Sequence, residues 1–138
     1  MQYNLQKIIS SSTFEAYSGS YIYAKTNKIP IDVKFFALTV DNDEITVVLE
    51  KSHIDGLDFE AKNKDEYSLI ALNVLVPFYC VGFLAEITKV IASKGMNILI
   101  VSTFSKDYIL VRSDKREDAL KALLELGLRQ EPTQDVKK

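Results

Sequence analysis

The sequence predicts an α+β fold in which antiparallel β-structure is covered by helices on one face. Two observations support this prediction. The first half of the chain is rich in β-favouring residues, and the second half alternates apolar strand segments with amphipathic helical segments. With 138 residues, 47% of them hydrophobic, the chain can bury a core as one domain or as two very small ones.

The first half is predicted to be β-rich, with little helix. Its predicted strands are 18–25, 35–40 and 44–50. The last two flank Asp41-Asn42-Asp43, and these residue types tolerate the backbone of a tight hairpin turn. The piece between Asn27 and Lys34 is too short for more than a helical turn or two. His53 to Asp58 is predicted to be a loop that turns at Gly56.

The second half is predicted to follow the order strand, helix, strand, strand, helix. The predicted elements are 67–76, 82–94, 97–104, 108–112 and a helix that ends at Gly127. Gly95 suits the end of the first helix, and Asp114 stands three residues before Glu117, the spacing of a capping box. The second helix carries an apolar stripe of Ala119, Leu120, Leu123 and Leu124.

A final edge strand would complete a ferredoxin-like βαββαβ arrangement. This strand is either Leu128 onward or supplied from elsewhere. The tail from 130 to 138 is polar and is predicted to be frayed.

The stretch from Tyr67 to Ala85 has no charged side chain and approaches the length of about 20 residues that spans a membrane. Pro77 and Gly82 interrupt it, and its pattern changes from β-favouring to helical after Gly82. A strand followed by a helix explains this better than a membrane span. The N-terminus also lacks the apolar core of a secretory signal, so we expect a cytoplasmic protein.

Composition argues against several function classes. With 17 basic and 19 acidic residues, the chain offers no bulk electrostatic attraction for nucleic acid. One cysteine and one histidine argue against a disulfide framework and against the common metal sites. We therefore expect no metal, no cofactor and no nucleic-acid partner.

Two segments of the second half resemble the ACT domain. They are 76–87 followed by 92–98, and the run 101–112. The second is similar to the Ser-Thr-aromatic-x-x-Asp-x-x-Leu-Val pattern of a small ACT subgroup. That subgroup includes short bacterial tandem-ACT proteins and the cytosolic arginine sensors of animals. The first-half hairpin resembles the subgroup's degenerate first unit, so the resemblance implies a degenerate unit at 1–62, an ACT domain at 63–129 and a tail at 130–138.

The resemblance implies a regulatory homodimer without catalytic activity that binds an amino acid or similar small molecule between ACT units. The ligand is expected against the loop from Pro77 to Phe83. There the start of the helix can offer backbone N–H groups to a carboxylate, and Gly82 permits close approach. Asp107 is the expected partner of the ligand's ammonium group. The candidate ligand-binding residues are Phe78, Tyr79, Cys80, Val81, Gly82, Phe83, Asn97, Ile98, Ser102, Thr103 and Asp107.

Two alternatives stay open. Subgroup members often carry an acidic residue and Thr just before the glycine, whereas this chain has Cys80 and Val81. A ligand-free ACT scaffold, with a dimer contact that buries Phe78, Tyr79 and Cys80, would suit that difference. An enzyme would instead need Cys80 to meet His53 as a nucleophile and base pair.

Overall fold

The computed structural model describes residues 4–74 and 80–135. The helices are α1 (Leu5–Ser11), α2 (Phe83–Ser93) and α3 (Arg116–Leu126). The strands are β1 (Thr13–Ala16), β2 (Tyr21–Thr26), β3 (Ala37–Val40), β4 (Ile45–Glu50), β5 (Ala61–Lys62), β6 (Tyr67–Asn73), β7 (Leu99–Ser102), β8 (Asp107–Arg112) and β9 (Arg129–Gln130). Two 3-10 turns, Lys51–Gly56 and Ser113–Lys115, complete the elements. The predicted α+β fold is confirmed.

All nine described strands belong to one sheet, whose continuous path is β3-β4-β2-β6-β1-β9. Strand β5 pairs with β2, and β7 reaches the sheet through β8, which lies beside β6. The neighbouring strands pair antiparallel except for β1 and β9, which are parallel. β1 and β8 lie on opposite edges of β6, with Ala16 opposite Ile70 on one edge and Ile109 opposite Ile70 on the other.

The two halves of the sheet repeat one strand order. The first half has β3-β4-β2-β5 and the second has β7-β8-β6-β1. In the second half, helices α2 and α3 connect the strands. In the first half, the corresponding connections are the irregular segment 27–36 and the 3-10 turn Lys51–Gly56, which falls where a loop was predicted. The first half thus has four strands and no α-helix between them.

The N-terminal segment packs with the second half of the chain. Helix α1, which was not predicted, contributes Ile9 to the same core as α2 and α3, and β1 contributes Phe14 and Ala16. The predicted grouping had placed residues 5–16 in the first unit. Strand β1 fills the fourth position of the second unit. By its packing, the N-terminal segment therefore belongs with the second unit, although it precedes residue 62 in the chain. The division of the chain into two units remains a proposal.

The main core lies between the sheet and the three helices. It contains Ile70, Leu72, Ile109 and Val111 from the central strands, a side that we call the helix face. Helix α2 adds Phe83, Ile87 and Ile91, which are four residues apart and therefore share one side of the helix. The predicted stripe of α3 is buried at Ala119, Leu120 and Leu123, but Leu124 is 47% exposed.

The opposite side of the sheet, which we call the aromatic face, carries Tyr21, Val48, Leu69 and Leu110. Because strand side chains alternate, these residues are the sequence neighbours of residues that point to the helix face. Six half-buried or buried aromatic rings line this face, and they are Tyr17, Tyr21, Tyr23, Phe36, Tyr67 and Tyr108. Both faces of the sheet are therefore apolar, which explains the long uncharged stretch that contains β6.

Local signals predicted several element ends correctly. The β3–β4 hairpin closes through Asp41, whose Oδ1 accepts hydrogen bonds from the N–H groups of Asp43 at 2.8 Å and Glu44 at 2.9 Å. Helix α2 ends before Gly95, at a φ of 78°, and α3 ends before Gly127, at a φ of 122°. Few residues other than glycine accept these left-handed angles, so the sequence marked both stops.

Two predicted details were wrong. No capping box forms at α3, because the 3-10 turn Ser113–Lys115 precedes the helix and the Asp114 carboxylate accepts a hydrogen bond from Arg112 instead, at 3.2 Å. The tail is not frayed as far as residue 135. Strand β9 pairs with β1, and the Gln134 N–H donates to the Ala16 carbonyl at 2.8 Å. The free edge of β1 offers backbone groups that need partners, and the tail supplies them. Of the two alternatives for the final strand, the place beside β6 is taken by β1, and the described residues after Leu128 form only the two-residue strand β9 beyond it.

Among the described residues, no helix is long and apolar enough to cross a membrane. In the same parts of the chain, no group of three or more His, Cys, Asp or Glu side chains is placed to hold a metal ion. The uncharged stretch from Tyr67 to Ala85 forms β6 and the start of α2, and residues 75–79 between them lie outside the described part.

Candidate functional site

The start of helix α2 has no side-chain cap, and Glu86 is the acidic residue of its first turn. Gly82 precedes the helix with a φ of 91°, and having no side chain it cannot cap the first turn. The Glu86 N–H donates to the Gly82 carbonyl at 3.0 Å, and the Phe83 N–H donates to the Cys80 carbonyl at 3.3 Å. The N–H groups of Leu84 and Ala85 therefore belong to the helix end that attracts carboxylates.

The residues of the predicted loop have different environments. Val81 is 93% exposed, whereas Cys80 is half-buried and Phe83 is buried, and both of these pack in the main core. Phe78 and Tyr79 lie outside the described residues. Burial raises the pKa of the Cys80 thiol above its ordinary value, which favours the protonated thiol at neutral pH.

Asp107 is the buried acid of the predicted site. It is 5% exposed and begins β8, where it lies opposite Ser102 of β7 and Leu72 of β6. The Ser102 hydroxyl donates to Asp107 Oδ1 at 2.6 Å. A carboxylate accepts about four hydrogen bonds, so this one keeps capacity for a ligand.

Thr103 has a structural task in the turn between β7 and β8. Its hydroxyl accepts from the Lys106 N–H at 3.2 Å and donates to the Lys106 carbonyl at 3.1 Å. The turn fixes the position of the neighbouring Ser102 and Asp107 pair. Thr103 is itself exposed.

Strand register divides the predicted residues into two groups. Asp107 and Ser102 lie at the level of Leu72, the end of β6 from which the chain continues towards Gly82. Asn97 and Ile98 follow the far end of α2, and 11 helical residues extend about 16 Å. The structure therefore brings Asp107, Ser102 and the start of α2 to one end of the sheet and places Asn97 and Ile98 towards the other.

Three residues near this end of the sheet, Leu5, Thr13 and Asn73, were not among the predicted site residues. Leu5 of α1 faces the helix start so closely that a Cβ atom added to Gly82 would lie 3.3 Å from Leu5 Cδ2. Asn73, which ends β6, donates from Nδ2 to the Thr13 hydroxyl at 3.2 Å. Asn73 is a polar residue inside an uncharged strand, and this pattern in the sequence could have identified it as a candidate site residue.

The possible catalytic pair of Cys80 and His53 is not assembled. Cys80 packs against the core on the helix face, and His53 lines a cavity on the aromatic face together with Tyr21 and Leu69. The two residues thus belong to different packing environments.

Known proteins resemble this chain in sequence and in fold. The ACT domain family model matches residues 65–125. A comparison with curated proteins gave no match. The structure is similar to that of a Vibrio cholerae protein of unknown function described as a possible transport protein, with a TM-score of 0.78 and 25% identity over 89% of this chain and 95% of that one.

Two further solved structures share the fold. A protein from Agrobacterium tumefaciens has a TM-score of 0.69 and 24% identity, over 92% of this chain and 97% of that one. The ligand-free regulatory subunit of aspartate kinase from Thermus thermophilus has a TM-score of 0.61 and 11% identity, over 83% and 95%. The fold is thus the ferredoxin-like ACT fold, and the second half of the chain carries the match to the ACT domain, a regulatory module.

Proposed function

We propose that this protein is a non-enzymatic regulatory ACT protein that binds an amino acid as a homodimer in the cytoplasm. The observation that carries the proposal is the buried Asp107 carboxylate at the same end of the sheet as the uncapped start of α2. An amino acid carries an ammonium group, which complements the Asp107 carboxylate, and a carboxylate, which complements the uncapped start of α2.

The chemistry of each group supports this pairing. The Asp107 carboxylate, held by Ser102, can accept a hydrogen bond from the ligand's ammonium group. The N–H groups in the first turn of α2 can donate to the ligand's carboxylate. Since the sequence resembles the subgroup that contains the arginine sensors, arginine is the first ligand to test.

Thermal unfolding with each standard amino acid tests the proposal. A ligand at 100 times its dissociation constant stabilises the folded state by about 2.7 kcal/mol, which raises the melting temperature by several degrees. Asp107→Asn preserves the shape and the bond from Ser102 but removes the charge. A lost charge-assisted bond of about 1.5–3 kcal/mol weakens binding by roughly tenfold or more.

Asp114→Asn is the matched control, because Asp114 is an exposed aspartate that pairs with Arg112 at 3.2 Å. It should bind like the natural protein. If no amino acid shifts the melting temperature, or if the Asp107 and Asp114 variants bind equally well, the proposed site is wrong.

The second candidate function is a ligand-free ACT scaffold, and exposed apolar side chains favour it. Val81, Ile100 and Phe104 are all exposed, and β7, which carries Ile100, has β8 as its described neighbour. A sheet edge and apolar side chains together suit pairing with another chain. Both functions predict a dimer, so the response to amino acids distinguishes them. The scaffold predicts a dimer that Ile100→Lys disrupts in light scattering and a melting temperature that no amino acid raises.

A further inference from the structure

A cavity lies on the aromatic face, away from the proposed site at α2. Its volume is about 360 Å³, within the range of small-molecule sites. Its walls come from segments far apart in the chain and include Tyr17, Tyr21, Phe36, Glu50 and Asp135. The lining is completed by Lys34, Phe35, His53, Leu69 and Gln134.

The aromatic walls are fixed by ring packing. The ring of Phe36 stands edge-on to Tyr21, with centroids 6.2 Å apart, and edge-on to Tyr108 at 4.9 Å. Tyr108 also contacts Tyr17 at 6.3 Å. Burial, followed by the negative charge of Glu50, raises the pKa of Tyr21 to about 12, so its ring stays a neutral phenol. Neutral aromatic rings present an electron-rich surface that attracts cations.

Glu50 places a negative charge beside these rings. Its residue is 8% exposed, and its Oε2 accepts hydrogen bonds from the Ser52 N–H and hydroxyl groups. Oε1 accepts one described bond, from the Ser20 N–H at 3.3 Å, so a lone pair is left for a further donor.

The Glu50 carboxyl is ionised at neutral pH. Burial alone would raise its pKa, but the hydrogen bonds from Ser52 and Ser20 and the charge of His53 hold the pKa below the ordinary value of 4.5. Asp135 adds a second carboxylate to the lining, which also contains the basic side chains of Lys34 and His53. The carboxylate that lies among the buried rings is that of Glu50, which is 8% exposed.

We propose that this cavity binds a small organic cation, a quaternary ammonium or protonated amine with a short apolar body. The rings of Tyr17, Tyr21 and Phe36 would surround the cationic group, and Glu50 would balance its charge. An anionic ligand among these rings would instead meet the buried Glu50 carboxylate, which disfavours it. The site uses the opposite side of the sheet from the proposed amino-acid site and does not depend on it.

Titration with choline and with its neutral isostere, 3,3-dimethylbutan-1-ol, tests this proposal. The two probes have nearly the same shape and differ in the charge. The chain contains 7 tyrosines and no tryptophan, so tyrosine fluorescence and tyrosine ring signals in NMR spectra report binding directly. Choline should perturb Tyr17 and Tyr21 in a saturable way and bind at least tenfold more tightly than the alcohol. Equal binding of both probes, or no saturable response to millimolar choline, would overturn the proposal.

Glu50→Gln should remove most of the preference for choline over the alcohol. Glu44→Gln is the matched control, because Glu44 belongs to the same hairpin but faces Lys25 at 4.0 Å, outside this cavity. An unchanged preference in the Glu50 variant would contradict the proposal.

If the Glu50→Gln protein fails to fold, Phe36→Leu provides a second test of the proposal. It removes a ring but retains an apolar wall, so it should weaken choline binding several-fold more than alcohol binding. Phe59→Leu, at a position outside the lining, is its control and should change neither. Equal losses for both probes in the Phe36 variant would mean that the cavity does not recognise charge.

Discussion

Replacing Gly82 by alanine should destabilise the protein by about 1 kcal/mol. Gly82 has a φ of 91°, and a left-handed backbone costs a residue with a Cβ atom about 1–2 kcal/mol. The lower freedom of alanine in the unfolded chain offsets about 0.4–1 kcal/mol of this cost. Gly95 is the matched control, because its φ of 78° imposes a similar strain.

The two glycines differ in their surroundings. A Cβ atom on Gly82 would lie 3.3 Å from Leu5 Cδ2, whereas one on Gly95 would meet nothing within 4 Å. Leu5 is the flexible side chain of the first residue of α1 and can move by a few tenths of an ångström. The Gly82 variant should therefore cost only slightly more than the Gly95 variant, by about 0.5 kcal/mol at most.

Equilibrium unfolding in urea measures both costs, and 1 kcal/mol corresponds to roughly 3–6 °C in melting temperature for a chain of this size. Adding Leu5→Ala should make the two glycine variants equally costly. A Gly82→Ala protein as stable as the natural one would refute the left-handed geometry at the start of α2. An excess cost that persists with Leu5→Ala would refute the assigned contact.

Two further predictions concern the cores. Leu123→Ala should lower the free energy of unfolding by about 2–5 kcal/mol and Leu124→Ala by less than about 0.5 kcal/mol. The reason is that Leu123 is fully buried and Leu124 is 47% exposed. Equal losses in urea unfolding would contradict the packing of α3. The pKa of Glu50 is lower in the folded state than its ordinary value of 4.5. The ionised Glu50 therefore stabilises the folded state at pH values above 4.5, and this stabilisation is lost as the pH falls from about 4.5 through the folded-state pKa. Glu50→Gln should flatten this acid loss relative to Glu44→Gln, and identical acid unfolding curves would show that Glu50 is not involved.

Features set by neighbouring residues could be predicted from the sequence. The hairpin at Asp41, the helix stops at Gly95 and Gly127 and the order of elements in the second half all depend on local chemistry or periodicity. The 3-10 turn before α3 escaped prediction, because Asp114 had a competing partner in Arg112 that the capping-box spacing does not reveal.

Features set by distant pairing could not be predicted in this way. Nothing in residues 13–16 specifies a place beside β6, and nothing in Gln134 specifies a bond to Ala16. The candidate site shows the same limit. Asp107 was identified by its motif, but its proximity to the end of β6 depends on strand register. The aromatic cavity joins Tyr17, Phe36, Glu50 and Asp135, which no motif connects.

The position of β1 affects how the protein is made in the cell. Residues 13–16 leave the ribosome well before their partner β6, at Tyr67–Asn73. At a synthesis rate of about 5–20 residues per second, Phe14 and Ile9 wait roughly 3–12 s for β6, and longer for the helix α3 side chains that share their core. The nascent chain therefore exposes an apolar segment until its second half emerges. The two halves cannot be exchanged as modules either, because a cut after residue 62 separates β6 from the strand at its edge.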